Sequence, residues 1–295
     1  MAEIIYLNGQ LVPRAAARLS PFDHGFLYGY GLFETMRAYN GHIFRLDRHL
    51  ARLRRSAGML GLSHDVIAAL SLDKGDRSLG SACIATLEAN KLRDSRLRLT
   101  VSAGEGDMTP DPGTCSQPTI LVTARSLVAL PPQKYESGFS AIPSSLRRNA
   151  RSPLSRLKST CYAENILARM EARAAGCDEA ILLNEQGYLA EASMANIFLV
   201  RGGELITPSV ESGILPGIAR EAVLEMAQTL NIRTSERQVQ PGELAEAEEA
   251  FLTNSILELM PLTRFEGKPV STGRPGPLTQ KLMAAYRRLV DEATR

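Results

Sequence analysis

Lysine is scarce in this chain, supplying six of its 34 basic residues. One of them, Lys158 in "SRLKSTCYAEN", stands among arginines and just ahead of a Ser159-Thr160 pair that reads as a helix start. A guanidinium stays charged and is no nucleophile, whereas an amine that sheds its proton attacks carbonyls. A positive helix end and partial burial beside Leu157 would both lower the pKa of such an amine. Standing alone, Lys158 reads first as a surface residue. Two other stretches change that weighting. In "YLAEASMANIF", Glu191 and Asn196 fall in a strand-turn segment between apolar residues. A carboxylate buried there needs a cationic partner, and a protonated ring nitrogen or a nearby arginine would serve. In "SGILPGIAREAVLEM", a glycine-proline turn runs straight into a helix, so the backbone N–H groups of Ile218 and Ala219 are free to cup a phosphate. An amine for a carbonyl, a carboxylate for a ring nitrogen and a helix end for a phosphate together describe pyridoxal 5′-phosphate.

These groups must be held by a scaffold, and the sequence marks most of its elements. Asn8-Gly9 and Asn40-Gly41 each separate two apolar runs, which predicts two hairpins. In "LDRHLARLRRSAGMLG", Leu46, Leu50, Leu53, Ala57 and Leu60 recur at three- and four-residue steps, predicting an amphipathic helix closed by Gly61. Further helices are expected at about 64 to 71 and 80 to 90. "RLRLTVSAG" and "PTILVTARSL" read as strands flanking a Gly/Pro/Asp-rich loop. The second half opens with a strand near 139 to 145, and "CYAENILARMEARAAG" reads as a helix closed by Gly176. A run of short strands follows, then a helix with Ile218, Ala222, Met226 and Leu230 on one face, a buried strand in "EEAFLTNSILELMPL" and a final helix. Strands and helices alternating in two blocks make a two-domain α/β (α+β) enzyme architecture. The expected division is a smaller N-terminal domain over 1 to 124, a linker over 125 to 134 around "ALPPQKYESG", and a larger C-terminal domain over 135 to 295 carrying the lysine.

Composition excludes several classes of function. With 295 residues, 44% hydrophobic and 22% charged, the chain is an ordinary globular protein large enough for two cores. A net charge of +2 argues against a nucleic-acid or membrane partner, and no apolar run reaches membrane-spanning length. The arginines at 147, 148, 151 and 156 form a basic strip, but no aromatic is interleaved as nucleic-acid binding would want. A solvated or substrate-facing loop is the expectation there. Cys83, Cys115, Cys161 and Cys177 are scattered, which suits reduced thiols in the cytoplasm. They share no zinc-ligand spacing with His24, His42, His49 and His64, so no metal is expected. "GYGLFE" is not a dinucleotide-binding glycine motif.

Five ordered segments, "DHGFLYGYGLFETMRAYNG", "RHLARLRRSA", "RLKSTCYAENILA", "GYLAEASMANIFLV" and "GILPGIAR", resemble the class IV (fold type IV) pyridoxal-phosphate enzymes. That group holds branched-chain aminotransferases, D-amino acid aminotransferases and aminodeoxychorismate lyases. The resemblance implies that Lys158 is the Schiff-base lysine and later the acid/base, and that Glu191 keeps the pyridine nitrogen protonated. It implies that Arg52 and the N–H groups of Ile218 and Ala219 hold the phosphate, with Asn254 and Ser255 completing the cup and Leu215 packed on one ring face. It also implies a homodimer with the cofactor between the two domains. Two positions depart from the pattern: Ala219 stands where threonine is usual, and Cys161 where asparagine is common.

The resemblance leaves the reaction to be chosen. Tyr28 in "DHGFLYG" and the stretch "GCDEAILLNEQGYLAEA" are similar to branched-chain aminotransferases, whereas Thr35 in "FETMR" resembles the lyases. The loop "AGEGDMTPD" lacks the Arg-x-His pair of the D-amino acid enzymes, which disfavours D-specificity. Tyr28, Thr35, Arg98 and Tyr162 are the candidate substrate contacts, and for Tyr28 and Arg98 ordinary strand or core packing is the competing reading. The expectation is a cytoplasmic aminotransferase acting on an amino acid, with branched-chain substrates in view, and a 2-oxo acid. The alternative is a lyase releasing pyruvate and 4-aminobenzoate.

Overall fold

A computed structural model describes residues 3–62, 78–115 and 117–294, so the helix expected at 64 to 71 and His64 lie outside the described residues. The chain groups into two compact units. One comprises Met1–Val128, Leu157–Cys161 and Ala293–Arg295, the other Ala129–Arg156 and Tyr162–Glu292. The stretch read as a linker overlaps the end of a strand, through Ser126, and the start of a short helix, Pro132–Ser137, and residues 127 to 131 between them carry no regular structure.

The first unit is an antiparallel sheet with helices on one face. Its strands are β1 (Ile4–Leu7), β2 (Gln10–Pro13), β3 (Gly31–Tyr39), β4 (His42–Ile43), β5 (Ser95–Ser102) and β6 (Thr119–Ser126), in the order β2-β1-β6-β5-β3-β4. Both expected hairpins form. Asn8 and Gly9 have φ of 46° and 93°, and Asn40 and Gly41 have 52° and 89°, the left-handed pairs that a two-residue hairpin turn requires. Alternation along the strands sends Leu32, Met36, Leu97, Leu99, Val122 and Ala124 to one face. There they meet Leu50, Leu53 and Ala57 of the helix Leu46–Leu60 and Leu79, Ala82, Cys83 and Leu87 of the helix Leu79–Ala89. Gly61, at φ 72°, closes the first of these helices as its spacing predicts.

The second unit carries β7 (Phe139–Arg148), β8 (Glu179–Asn184), β9 (Leu189–Ala192), β10 (Asn196–Arg201), β11 (Glu204–Pro208), β12 (Thr234–Arg237), β13 (Glu249–Asn254), β14 (Glu258–Phe265) and β15 (Lys268–Pro269). They form a mixed sheet in the order β12-β11-β10-β13-β14-β7-β8-β9, with β15 on β14. Its strands read as near-continuous apolar runs because both faces are covered; all of Ile197, Phe198, Leu199 and Val200 are buried. The helices Ala163–Ala174, Ile218–Thr229 and Pro277–Ala293 belong to this half of the chain. Each half combines a sheet with helices, the α+β make-up that its alternating blocks predict. Among the described residues no helix is long and apolar enough to cross a membrane, and no three His, Cys, Asp or Glu side chains cluster as a metal site would need.

Candidate active site

In the first unit, Lys158 is placed by a short extended segment that zips onto the start of β3. Phe33 donates its N–H to the Lys158 carbonyl at 2.8 Å, Thr160 N donates to Gly31 O at 2.9 Å, and Leu32 bridges Ser159. The Thr160 hydroxyl adds a 2.6 Å bond to Gly29 O. Such closeness needs glycine. A Cβ on Gly31 would lie 2.8 Å from Val101 O, and one on Gly29 would lie 2.8 Å from the Cys161 thiol. The glycines of "GYG", which match no dinucleotide motif, therefore make room for the lysine segment. The half-buried Lys158 amine sits 4.4 Å from the centroid of the Phe33 ring, and the Arg98 guanidinium lies 3.8 Å from the same centroid. The helix start expected at Ser159-Thr160 is not there. The helix begins at Ala163 with Tyr162 as its cap, so the argument from a helix dipole at Lys158 does not hold, and burial against Phe33 remains.

Behind this strand lies a buried charge cluster that the sequence reading did not single out. Arg52, 3% exposed, donates Nε and Nη2 to the two Glu34 carboxylate oxygens at 2.8 and 2.6 Å. Glu34, 1% exposed, also accepts from His49 Nδ1 at 2.7 Å, and the proton must be the histidine's because a carboxylate can only accept. Burial works against the Glu34 charge, but the Arg52 charge and the bonds from Arg52 and His49 outweigh it and hold the carboxyl at about 2. Burial pulls the His49 pKa down, the Glu34 carboxylate opposes it, and the Arg52 and Lys158 charges add to the depression. Arg52 is thus fixed side-on by two bonds, and its remaining Nη1 end turns away from the carboxylate.

Of the substrate candidates in this unit, Thr35 and Arg98 share one sheet face and Tyr28 ends a short helix. Thr35 and Arg98 are direct cross-strand partners, both half-buried, and Arg98 Nε donates to the Thr100 hydroxyl at 3.2 Å. Tyr28, 39% exposed, gives its hydroxyl to Met108 O and so ties down the "AGEGDMTPD" loop. Asp23 caps the helix His24–Tyr28 through Gly25 N at 2.7 Å and accepts from Ser102 and Thr119, which anchors the "DHGFLYG" motif.

In the second unit, Glu191 lies at 5% exposure with three donors on its carboxylate. Arg148 Nη2 donates to Oε1 at 2.8 Å, while Asn196 Nδ2 and Leu215 N donate to Oε2 at 3.1 and 3.0 Å. Of the two partners that the sequence reading allowed for Glu191, the arginine is present. Arg148, expected in a solvated basic strip, is 8% exposed, and burying the pair together is what makes either charge tolerable. Its Nε is buried with no hydrogen-bond partner among the described residues. Asn196 Nδ2 also donates to Leu215 O at 2.8 Å, so Leu215 is clamped at both its N–H and its C=O.

That clamp leads directly into the helix Ile218–Thr229, whose cap, Gly217, makes no side-chain capping bond. The N–H groups of Ile218 and Ala219 therefore have no intrahelical acceptor. A Cβ on Gly217 would sit 2.1 Å from Asn196 Oδ1. Gly217→Ala is accordingly expected to displace Asn196, loosen Leu215 and Glu191, and weaken pyridoxamine 5′-phosphate binding at least about tenfold. Equilibrium titration checks it, and unchanged affinity would show that the clamp is idle. Asn254 Nδ2 donates to Met194 O, and its Oδ1 accepts from Ile256 N and Leu257 N, which fixes the turn after β13. The half-buried Ser255 hydroxyl makes no side-chain hydrogen bond among the described residues. Tyr162 sits half-buried at the head of the helix Ala163–Ala174.

The chain is similar to known proteins over nearly its whole length. The family description "Amino-transferase class IV" matches residues 31–265. A protein of Methanocaldococcus jannaschii, provisionally named a branched-chain-amino-acid aminotransferase, is 37% identical over 96% of this chain and 95% of its own length. The aminodeoxychorismate lyase of Bacillus subtilis is 36% identical over 97% of this chain and 94% of its own. Among solved structures, a T.th. branched-chain amino acid aminotransferase with pyridoxamine 5′-phosphate superposes with a TM-score of 0.91 at 30% identity, covering 100% of this chain and 96% of that one.

Proposed function

The chain belongs to the class IV aminotransferases, and from that premise we propose that it moves an amino group between an amino acid and a 2-oxo acid using pyridoxal 5′-phosphate. The observation that carries the reading is the half-buried Lys158 amine held against Phe33 by a dedicated backbone zipper. The groups present fit the cofactor. The amine, the arginine-backed Glu191 carboxylate, the two first-turn N–H groups and the Ser255 hydroxyl are the donor and acceptor set it needs. When bound, pyridoxal phosphate supplies an electron sink that lets a Cα–H bond break. Lys158 Nζ would accept the proton released from the substrate Cα and donate it in the second half of the transfer. Glu191 would keep the ring nitrogen protonated, with Arg148 fixing its Oε1. Ile218 N, Ala219 N and Ser255 Oγ would hold the phosphate, as would Arg52, oriented by Glu34. Leu215, clamped at both backbone groups, would pack on a ring face.

Arg98 is the candidate for a substrate carboxylate, with Tyr28 and Tyr162 bordering the substrate. The lack of the Arg-x-His pair supports L-amino acids, and the named relatives support branched-chain ones. A homodimer is supported by the exposed Ile166, Leu167 and Met170, which share one face of the helix Ala163–Ala174 at three- and four-residue steps. Four free cysteines support a cytoplasmic location. One observation favours the lyase: Thr35 faces the same side of β3 as Phe33, next to Arg98. The two are separated by adding single amino acids, without acceptor, to the purified protein. An aminotransferase loses the visible absorbance of its cofactor and does not regain it until a 2-oxo acid is supplied. Release of pyruvate from aminodeoxychorismate with no such bleaching would overturn the choice.

A further inference from the structure

The face of the six-stranded sheet opposite the helices carries an unusual rung. Arg37 of β3, Arg96 of β5 and Arg125 of β6 are direct neighbours in register, and Arg98 stands on the next rung beside Thr35 and Thr123. Like charges placed directly opposite each other across strands repel. Arg125 is offset by Glu3 at 3.0 Å, and Arg37 stacks on Tyr39 with its guanidinium carbon 4.4 Å from the ring centroid. Glu3 offsets one charge of the rung and leaves the exposed Arg96, which pairs with no acid among the described residues. Burial grades along this face: Arg96 is exposed, Thr35 and Arg98 are half-buried, and Phe33 is buried beneath the Lys158 amine. From the rung to Phe33 is four residues of strand, about 13 Å.

We propose that this face is an anion guide, in which Arg37, Arg96 and Arg125, with Arg98 nearer the amine, draw phosphate- and carboxylate-bearing ligands toward Lys158. It rests on the reading of Lys158 given above. A charged track of this kind raises association rates and loses its effect as salt shortens the Debye length from about 30 Å at 0.01 M to about 3 Å at 1 M. The effect therefore belongs to the encounter and leaves the occupied site alone.

The test is the second-order rate at which the cofactor-free full-length chain takes up pyridoxal 5′-phosphate, followed by the protein-bound absorbance band. Arg96→Glu changes an exposed side chain and is expected to slow uptake about fivefold at 0.01 M salt, with the difference vanishing near 0.5 M. Pyridoxal, which lacks the phosphate, should be taken up equally by both proteins. Arg55→Glu makes the same charge change on the exposed side of the helix Leu46–Leu60, which packs on the other sheet face, and should leave the rate within a factor of two. Uptake by Arg96→Glu that matches the parent at low salt overturns the guide. So does an equal slowing by Arg55→Glu, or an equal slowing toward pyridoxal. A parent protein that forms no bound band with pyridoxal phosphate removes the function reading and the guide together, whereas a normal band with no salt-dependent difference removes the guide alone.

Discussion

Lys158→Ala is expected to lower turnover by at least about 10⁴-fold while leaving the fold intact, because it removes both the attacking amine and the group that relays the proton. The side chain is half-buried and its structural task is performed by its backbone, which accepts from Phe33 N. Truncation to alanine keeps that bond and the Leu32–Ser159 bridge, so the thermal midpoint should move by only a few degrees. Borohydride reduction of the loaded parent protein, followed by peptide mass analysis, should place a covalent phosphopyridoxyl group on the peptide containing Lys158 and nowhere in the variant. Arginine in the same place should not rescue activity, since a guanidinium does not deprotonate at working pH. Retained turnover in Lys158→Ala would end the proposed mechanism. Loss of turnover with a collapsed midpoint would instead mean that the side chain is structural.

The parts of this molecule legible in its sequence are those fixed by near neighbours. The two Asn-Gly hairpins adopt the left-handed φ values that their residue types invite. The helix Leu46–Leu60 follows its apolar spacing to the glycine that closes it. What misled was chemistry that has a local and a distant use. Ser159 and Thr160 look like helix caps, but the Thr160 hydroxyl spends its bond on Gly29 O, 131 residues away in sequence. The helix begins later, at Ala163, and its cap Tyr162 makes no side-chain capping bond, so nothing local marks the boundary. Arg148 read as one of several surface arginines, because its partner Glu191 lies 43 residues on and nothing in the intervening chain announces the pair. Asn254, a phosphate candidate by its place in "LTNS", also bonds its own following backbone, as asparagine does in turns. The buried cluster of Glu34, His49 and Arg52 fell between two motifs, one on a strand and one on a helix. Only alternation along β3, which sends Glu34 to the core face with Leu32 and Met36, hints that a carboxylate there must have partners.

That cluster sets the largest expected change in stability. Glu34→Gln breaks a buried ion pair with an arginine that is 3% exposed, and removing one partner of such a pair costs about 3–5 kcal/mol. For a chain of this size the thermal midpoint should fall by roughly 10 °C at pH 7. The amide also cannot reproduce the side-on fork on Arg52, so affinity for pyridoxamine 5′-phosphate should drop while affinity for pyridoxamine is spared. The pH dependence has a definite sign. Glu34 has a folded-state pKa of about 2 against an ordinary 4.5, so its contribution is complete above about 4.5 and is lost as pH falls toward 2. His49 acts in the same direction. Its folded-state pKa lies below the ordinary 6.5, so the unfolded chain takes up a proton first, and stability declines as pH drops through that range. Thermal unfolding followed from pH 7 to pH 3 should therefore fall steeply in the parent and more gently in Glu34→Gln. Glu34→Leu combined with Arg52→Met removes both charges and should recover part of the midpoint without recovering phosphate selectivity. If Glu34→Gln costs less than about 1 kcal/mol, the arginine has found another partner and the carboxylate does not hold it.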